Sequence, residues 1–178
     1  MKWHIITIVT IVFAFMLLCG CNEENSSDTL SGLEYSNSTY KLGINPPAGW
    51  TINESDDYGI VRFYGPTVDD FTVNIGISER YNMGSGDTLE SIVLEGIEEL
   101  SNTFEGFNEV SKSYRLVNSM NAYELEVIYS MFGYEIHSKQ VLVEKDDSAV
   151  TITYAAIESS YDTYMNDFEQ SLSTFTII

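Results

Sequence analysis

The clearest periodic signal in the chain is the alternation Asp70-Phe-Thr-Val-Asn-Ile-Gly-Ile-Ser-Glu79. Phe71, Val73, Ile75 and Ile77 fall on one side, and Thr72, Asn74, Gly76 and Ser78 on the other. That is the mark of a strand with one buried face. A shorter strand over 60–64 precedes it. Asp87-Thr-Leu-Glu90 then has the form of a capping box with Asp87 as N-cap. It opens a helix whose Leu89, Ile92, Val93, Ile97, Leu100 and Phe104 share one stripe. Long strands are expected over 109–117, 122–131, 134–144 and 149–157. The links between them are too short for crossovers and predict antiparallel hairpins. From about Ser160 a second amphipathic helix is expected, because Tyr161, Tyr164, Met165, Phe168, Leu172 and Phe175 recur at helical spacing. Both stripes read as core contacts. The sum is an α+β domain, an antiparallel sheet of about six strands flanked by helices.

The N-terminus has a different pattern. Lys2 is the only Lys or Arg ahead of an apolar run from Ile5 to Leu18. A bilayer-spanning helix needs about 20 apolar residues, and this run is shorter, with the length of a signal-peptide core. The tetrad Leu18-Cys19-Gly20-Cys21 that follows resembles a bacterial-type lipobox. The resemblance implies cleavage after Gly20 and a two-chain lipid on the Cys21 sulfur, which suffices for stable anchoring where one chain does not. An ordinary secretory signal and an uncleaved anchor are the alternatives. Cys19 and Cys21 are the only cysteines, so no internal disulfide survives cleavage. The expected organisation is a lipoprotein signal peptide over 1–20, a polar tether over 21–39 and a folded domain over 40–178. Asn25, Asn37 and Asn53 head Asn-x-Ser/Thr sequons, glycosylation acceptors in a host with that machinery.

Charge narrows the partners. The 178 residues hold 8 Lys+Arg against 27 Asp+Glu, a net charge of −19. Loss of Lys2 with the leader makes this −20. No basic stripe exists, so nucleic acid is excluded as a partner. The acids are scattered in pairs, Asp56-Asp57, Asp69-Asp70 and Asp146-Asp147, and form no acidic tail. Such pairs could supply oxygen ligands to calcium, but no loop of ligand spacing organises them, and 145–148 reads first as a turn.

Catalytic material is sparse. Beyond the leader the chain has one histidine, His137, expected half-exposed on a strand face with Glu135, Lys139, Val141 and Val143. With no second histidine and no free thiol in the mature chain, Ser-His-Asp, Cys-His and His-rich zinc sites lack their parts. Met83-Gly-Ser-Gly-Asp87 precedes a helix, but the negative surroundings make it a plain connection rather than an anion cradle. No catalytic residue, cofactor or metal ligand is assigned, and the chain is not expected to be an enzyme.

The segment Tyr40-Lys-Leu-Gly-Ile-Asn-Pro-Pro-Ala-Gly-Trp50 resembles the start of PsbP-like domains, where a short strand runs into a Pro-x-Gly-Trp turn. The order of elements over 38–178 resembles that family as well. The resemblance implies a Mog1/PsbP-like sandwich around an antiparallel sheet and a non-enzymatic binding or assembly role, often at a membrane surface. Plant-type members assist the oxygen-evolving photosystem. That role is not carried over, because the lysine-bearing N-terminal region they use for docking has no counterpart here. The expectation is an extracytoplasmic lipoprotein, held to the membrane through a lipid on Cys21, whose domain binds a protein partner. The alternative is a calcium- or small-solute-binding surface lipoprotein.

Overall fold

The computed structural model describes residues 33–54, 59–80, 83–84 and 86–177. Alternating apolar residues build a seven-stranded sheet in the order β3-β4-β5-β9-β8-β7-β6. Its strands are β3 (Thr51–Asn53), β4 (Val61–Val68), β5 (Phe71–Arg80), β6 (Glu105–Val117), β7 (Met120–Met131), β8 (Tyr134–Lys145) and β9 (Ser148–Ile157). Every neighbouring pair is antiparallel. The β1 (Tyr35–Asn37), β2 (Leu42–Ile44) and β10 (Thr176–Ile177) strands form a second, three-stranded sheet in the order β1-β2-β10.

Short turns set these registers. The hairpins place Asp69 and Asp70 at φ 48 and 64, Asn118 and Ser119 at φ 46 and 70, and Phe132 and Gly133 at φ 53 and 85. Paired left-handed residues match the twist of the flanking strands. Asp, Asn and Gly tolerate that backbone, whereas Phe132 adopts it at a cost.

Among the described residues each face of the sheet carries one α-helix. On one side α1 (Leu89–Thr103) buries Leu89, Ile92, Val93 and Leu100 against Tyr123, Leu125, Val127, Tyr129 and Leu142. On the other, α2 (Tyr161–Thr174) buries Phe168 and Leu172 against Phe63, Val141, Ile152 and Tyr154. Burying a side chain such as Phe168 stabilises the fold by about 1.5–3 kcal/mol.

Several expectations need correction. The N-cap of α1 is Thr88, whose hydroxyl accepts from the Ser91 amide at 3.1 Å while the Ser91 hydroxyl takes the Thr88 amide at 2.9 Å. Asp87 instead closes the preceding loop, its carboxylate accepting from the Gly84 amide at 2.7 Å. The folded domain also begins before Tyr40. Tyr35 is 2 % exposed and meets Phe63 edge-on at 5.6 Å, and Ser36 is buried beside it. Residues 35–39, assigned above to the tether, therefore belong to the domain. The β6 strand starts at Glu105, not 109, because register shifts at 105/108 and 109/111 break the alternation that would have revealed it.

The Pro-x-Gly-Trp turn forms as its residues dictate. Gly49 sits at φ 82 and the Trp50 amide donates to the Pro47 carbonyl at 3.1 Å. The Trp50 ring then lies on β4 at Gly65, where a Cβ would come within 2.6 Å of it. No helix among the described residues is long and apolar enough to cross a membrane.

Candidate functional site

Among the described residues the sheet ends at β6, and no described strand pairs with its outer edge. Of its thirteen residues only Val117 is buried, and Val110, Tyr114 and Leu116 are exposed apolar side chains on it. Tyr114 is 63 % exposed and Leu116 65 %, among the most exposed large apolar residues described. An edge strand presents unpaired backbone N–H and C=O groups along its length, ready to pair with another chain. Tyr114 is held upright by an edge-on contact with Tyr123 at 4.6 Å and a hydrogen bond from its hydroxyl to Glu90 of α1 at 3.2 Å. Lys112 pairs with Glu109 at 2.5 Å, and this contact raises the lysine's pKa.

Behind this edge, on the α2 side, the polar residues of β6, β7 and β8 form a chain of ion pairs. Arg115 contacts Glu124 and meets Glu169 of α2 through two nitrogens, at 2.9 and 3.2 Å. Lys139 lies 3.3 Å from Glu124, 3.7 Å from Glu126 and 3.8 Å from Glu169. The Glu169 bond raises the Arg115 pKa against the opposing pull of burial. Burial works to raise Glu169 too, but the Arg115 bond and charge hold it below the usual carboxylate range.

His137 completes the chain. Its Nε2 is 2.8 Å from Glu126 and its Nδ1 2.7 Å from Glu158, and its ring is covered by Tyr161. At 8 % exposure it is buried, which corrects the half-exposed position expected for it. The alternation had placed its face correctly, but Tyr161 covers that face from 24 residues further along the chain. Each ring nitrogen is engaged by its own carboxylate on its own side of the ring. The imidazole thus offers no nitrogen to a substrate, and the two carboxylates do not converge on one point.

The structure scatters the remaining candidates. Asp69-Asp70 caps the β4–β5 hairpin, and Asp146-Asp147 caps the β8–β9 hairpin at the opposite end of the sheet, since Val68 pairs with Phe71 while Ala149 pairs with Arg80. Among the described residues no three His, Cys, Asp or Glu side chains are grouped to hold a metal. Cys21, Asn25, Asp56 and Asp57 lie outside the described residues. Asn37 is engaged, its side-chain oxygen accepting from Thr39 and Tyr40 amides at 3.1 Å each and its nitrogen donating to the Tyr35 hydroxyl at 3.3 Å. Asn53 lies in β3. A polar cleft of about 310 Å³ lies between the Pro46-Pro47 turn and α2, lined by Asp167 and Gln170 among others. The ion-pair chain itself was missed in sequence. Its signal was present on β7, where Glu124 and Glu126 continue the face on which Ala122 is buried.

No family model matches the sequence, and no curated protein matches it. Solved structures do. The cyanobacterial PsbP (CyanoP) of Synechocystis sp. PCC 6803 matches with a TM-score of 0.59 at 16 % identity, over 88 % of this chain and 98 % of that one. The fold is PsbP-like. LpqN, involved in cell envelope biogenesis of Mycobacterium tuberculosis, shares this PsbP-like arrangement with a TM-score of 0.57 at 14 % identity, over 76 % of this chain and 82 % of its own. A Pseudomonas aeruginosa protein of unknown function matches with a TM-score of 0.57 at 17 % identity, over 79 % of this chain and 92 % of that chain. The PsbP-like resemblance read at Tyr40 to Trp50 and the α+β class expected from the pattern agree with these matches.

Proposed function

We propose that this protein is an extracytoplasmic, membrane-anchored lipoprotein whose PsbP-like domain is a non-enzymatic binding or assembly module for a membrane-associated protein, with β6 as its contact edge. The observation that carries the reading is β6 itself, thirteen residues of edge strand with one buried and three exposed apolar side chains. Strand addition at such an edge takes affinity from main-chain hydrogen bonds and specificity from the flanking side chains. The LpqN match supports a cell-envelope setting. The lipobox-like tetrad ending at Cys21 supports the anchor. The paired His137, Lys139 and Arg115 support a face built to hold shape rather than to move protons.

The test places a photo-crosslinking residue at Ser113 on β6 and, as control, at Asp162 on α2, in cells producing the full-length chain. Discrete adducts from Ser113 that are absent from Asp162 are expected in the membrane fraction. A Cys21→Ser variant should move the protein out of that fraction. Matching adduct patterns from the two positions would overturn β6 as the contact edge, and unchanged sedimentation of Cys21→Ser would overturn the anchor.

A further inference from the structure

The middle of β6 is complementary to itself. Counted outward from the point between Val110 and Ser111, Glu109 mirrors Lys112, Asn108 mirrors Ser113 and Phe107 mirrors Tyr114. In a regular strand Glu109 and Lys112, three residues apart, would point to opposite faces. The register shift between Glu109 and Ser111 removes that conflict. Glu109 lies opposite Val127, Lys112 opposite Leu125 and Tyr114 opposite Tyr123, and these three belong to the core beneath α1. Phe107 packs against the same core. Asn108 and Ser113 lie opposite Ile128 and Glu124 and share the other face.

A two-fold axis perpendicular to the sheet sets two copies of a strand antiparallel and keeps each face on its own side. Placed between Val110 and Ser111, it brings Glu109 of one copy across from Lys112 of the other, twice over, with Phe107 across from Tyr114 on the same face. We propose that β6 pairs with β6 of a second copy of this chain in this register, joining two seven-stranded sheets into one. The proposal rests on the reading of β6 as the contact edge and names its partner. Charge decides for a second copy in this register. Opposite charges directly across a ladder stabilise it and like charges destabilise it. A shift of one step either way sets Glu109 against Ser111, or Lys112 against Val110, and loses both cross-strand pairs, leaving each Lys112 only the Glu109 that it already holds within its own chain. The two bodies, at −20 each without the leader, repel. Salt confines that repulsion to about 8 Å at physiological ionic strength, so pairing should strengthen as salt rises from low values.

The experiment uses the full-length protein in its membrane. Asn108→Cys and Ser113→Cys copies, produced together, are treated with a short thiol crosslinker. A product of twice the chain mass is expected from the mixture and not from either variant alone, nor from the unmodified chain with its Cys21. Glu109→Lys or Lys112→Glu, added to both copies, should lower the yield by at least about fivefold, and the two together should restore it, since the pairs re-form with their signs exchanged. All these side chains are exposed or lie on the open edge, and the restored double variant controls for folding. Absence of the doubled product, or equal product from the single-position controls, overturns the second copy as partner. If Ser113 still yields adducts with another protein, β6 stands as a contact edge with a different occupant. If it yields none, that reading falls as well.

Discussion

The imidazole of His137 lies flat on the ring of Tyr161, with centroids 3.4 Å apart and planes 7° from parallel. The contact joins β8 to the first residue of α2, and a second bond reinforces the joint, as the buried Tyr154 hydroxyl donates to the Tyr161 carbonyl at 2.7 Å. The Tyr161 hydroxyl, by contrast, is buried without a hydrogen-bond partner of good geometry among the described residues. Burial, with the Glu126 charge, raises its pKa. The two tyrosines should therefore respond oppositely to loss of the hydroxyl. Tyr154→Phe is expected to destabilise the domain by about 1 kcal/mol, since it removes a satisfied buried bond. Tyr161→Phe should be neutral or stabilising. Urea unfolding of the two variants measures the difference.

Acid should loosen the seam between α2 and the sheet. Glu169 titrates below its ordinary 4.5 in the folded chain, because the Arg115 bond and charge outweigh burial. A carboxyl with a depressed folded pKa contributes stability above its unfolded value and loses it as pH falls through the folded one. Stability is thus expected to hold from neutral pH to about 5 and to decline below the ordinary glutamate range. Arg115→Met should shallow that decline, read from urea midpoints between neutral pH and pH 3.

The alkaline side carries the opposite sign. Burial pushes Tyr35 up to about 12 from 10.0, with Asn37 opposing and Glu54 adding to the rise. A tyrosine with a raised folded pKa favours the folded state below its unfolded value, and that advantage is lost as pH climbs from 10 toward 12. Melting temperature should fall across that window. Tyr35→Phe should keep a flatter profile there, at the cost of the Asn37 bond to the hydroxyl.

Gly65 is where Trp50 touches β4. A Cβ there would approach the indole ring to 2.6 Å, so Gly65→Ala must displace Trp50 or bend the strand. A loss of about 1–3 kcal/mol is expected, the usual cost of overpacking. A shift in tryptophan emission should accompany it. An unchanged spectrum with unchanged stability would show that Trp50 does not rest on this strand.

Phe132 is a bulky residue at φ 53 in a two-residue hairpin, with its side chain 59 % exposed. Asn accepts that backbone with far less strain, and Asn-Gly is the favoured pair for such a turn. Phe132→Asn should stabilise the domain by about 1 kcal/mol. Thermal melting checks it.

How far the sequence carried depended on how local each feature was. The four long hairpin strands were legible because period-two alternation and two-residue turns are properties of neighbouring residues. The helices were legible through their stripes, although the cap of α1 was read one residue early because Asp87, Thr88, Glu90 and Ser91 offer two overlapping boxes. The opening of β6 was hidden by Gly106 at φ 68 and by two bulges, which interrupt the alternation on which strand reading depends. The strands β1, β2 and β10 are only two or three residues long, too short for alternation to show, and β10 joins β2 from the far end of the described residues, so nothing adjacent to it announces its partner. His137 shows the same limit at the site. Its face was readable from β8, but the Tyr161 ring and the Glu158 carboxylate that enclose it arrive only when the last helix packs down.

The small sheet also bears on the order of synthesis. Thr176 and Ile177 pair with Gly43 and Leu42, and Phe175, just before them, is fully buried. The core beneath α2 therefore cannot close until Phe175, Thr176 and Ile177 have left the ribosome.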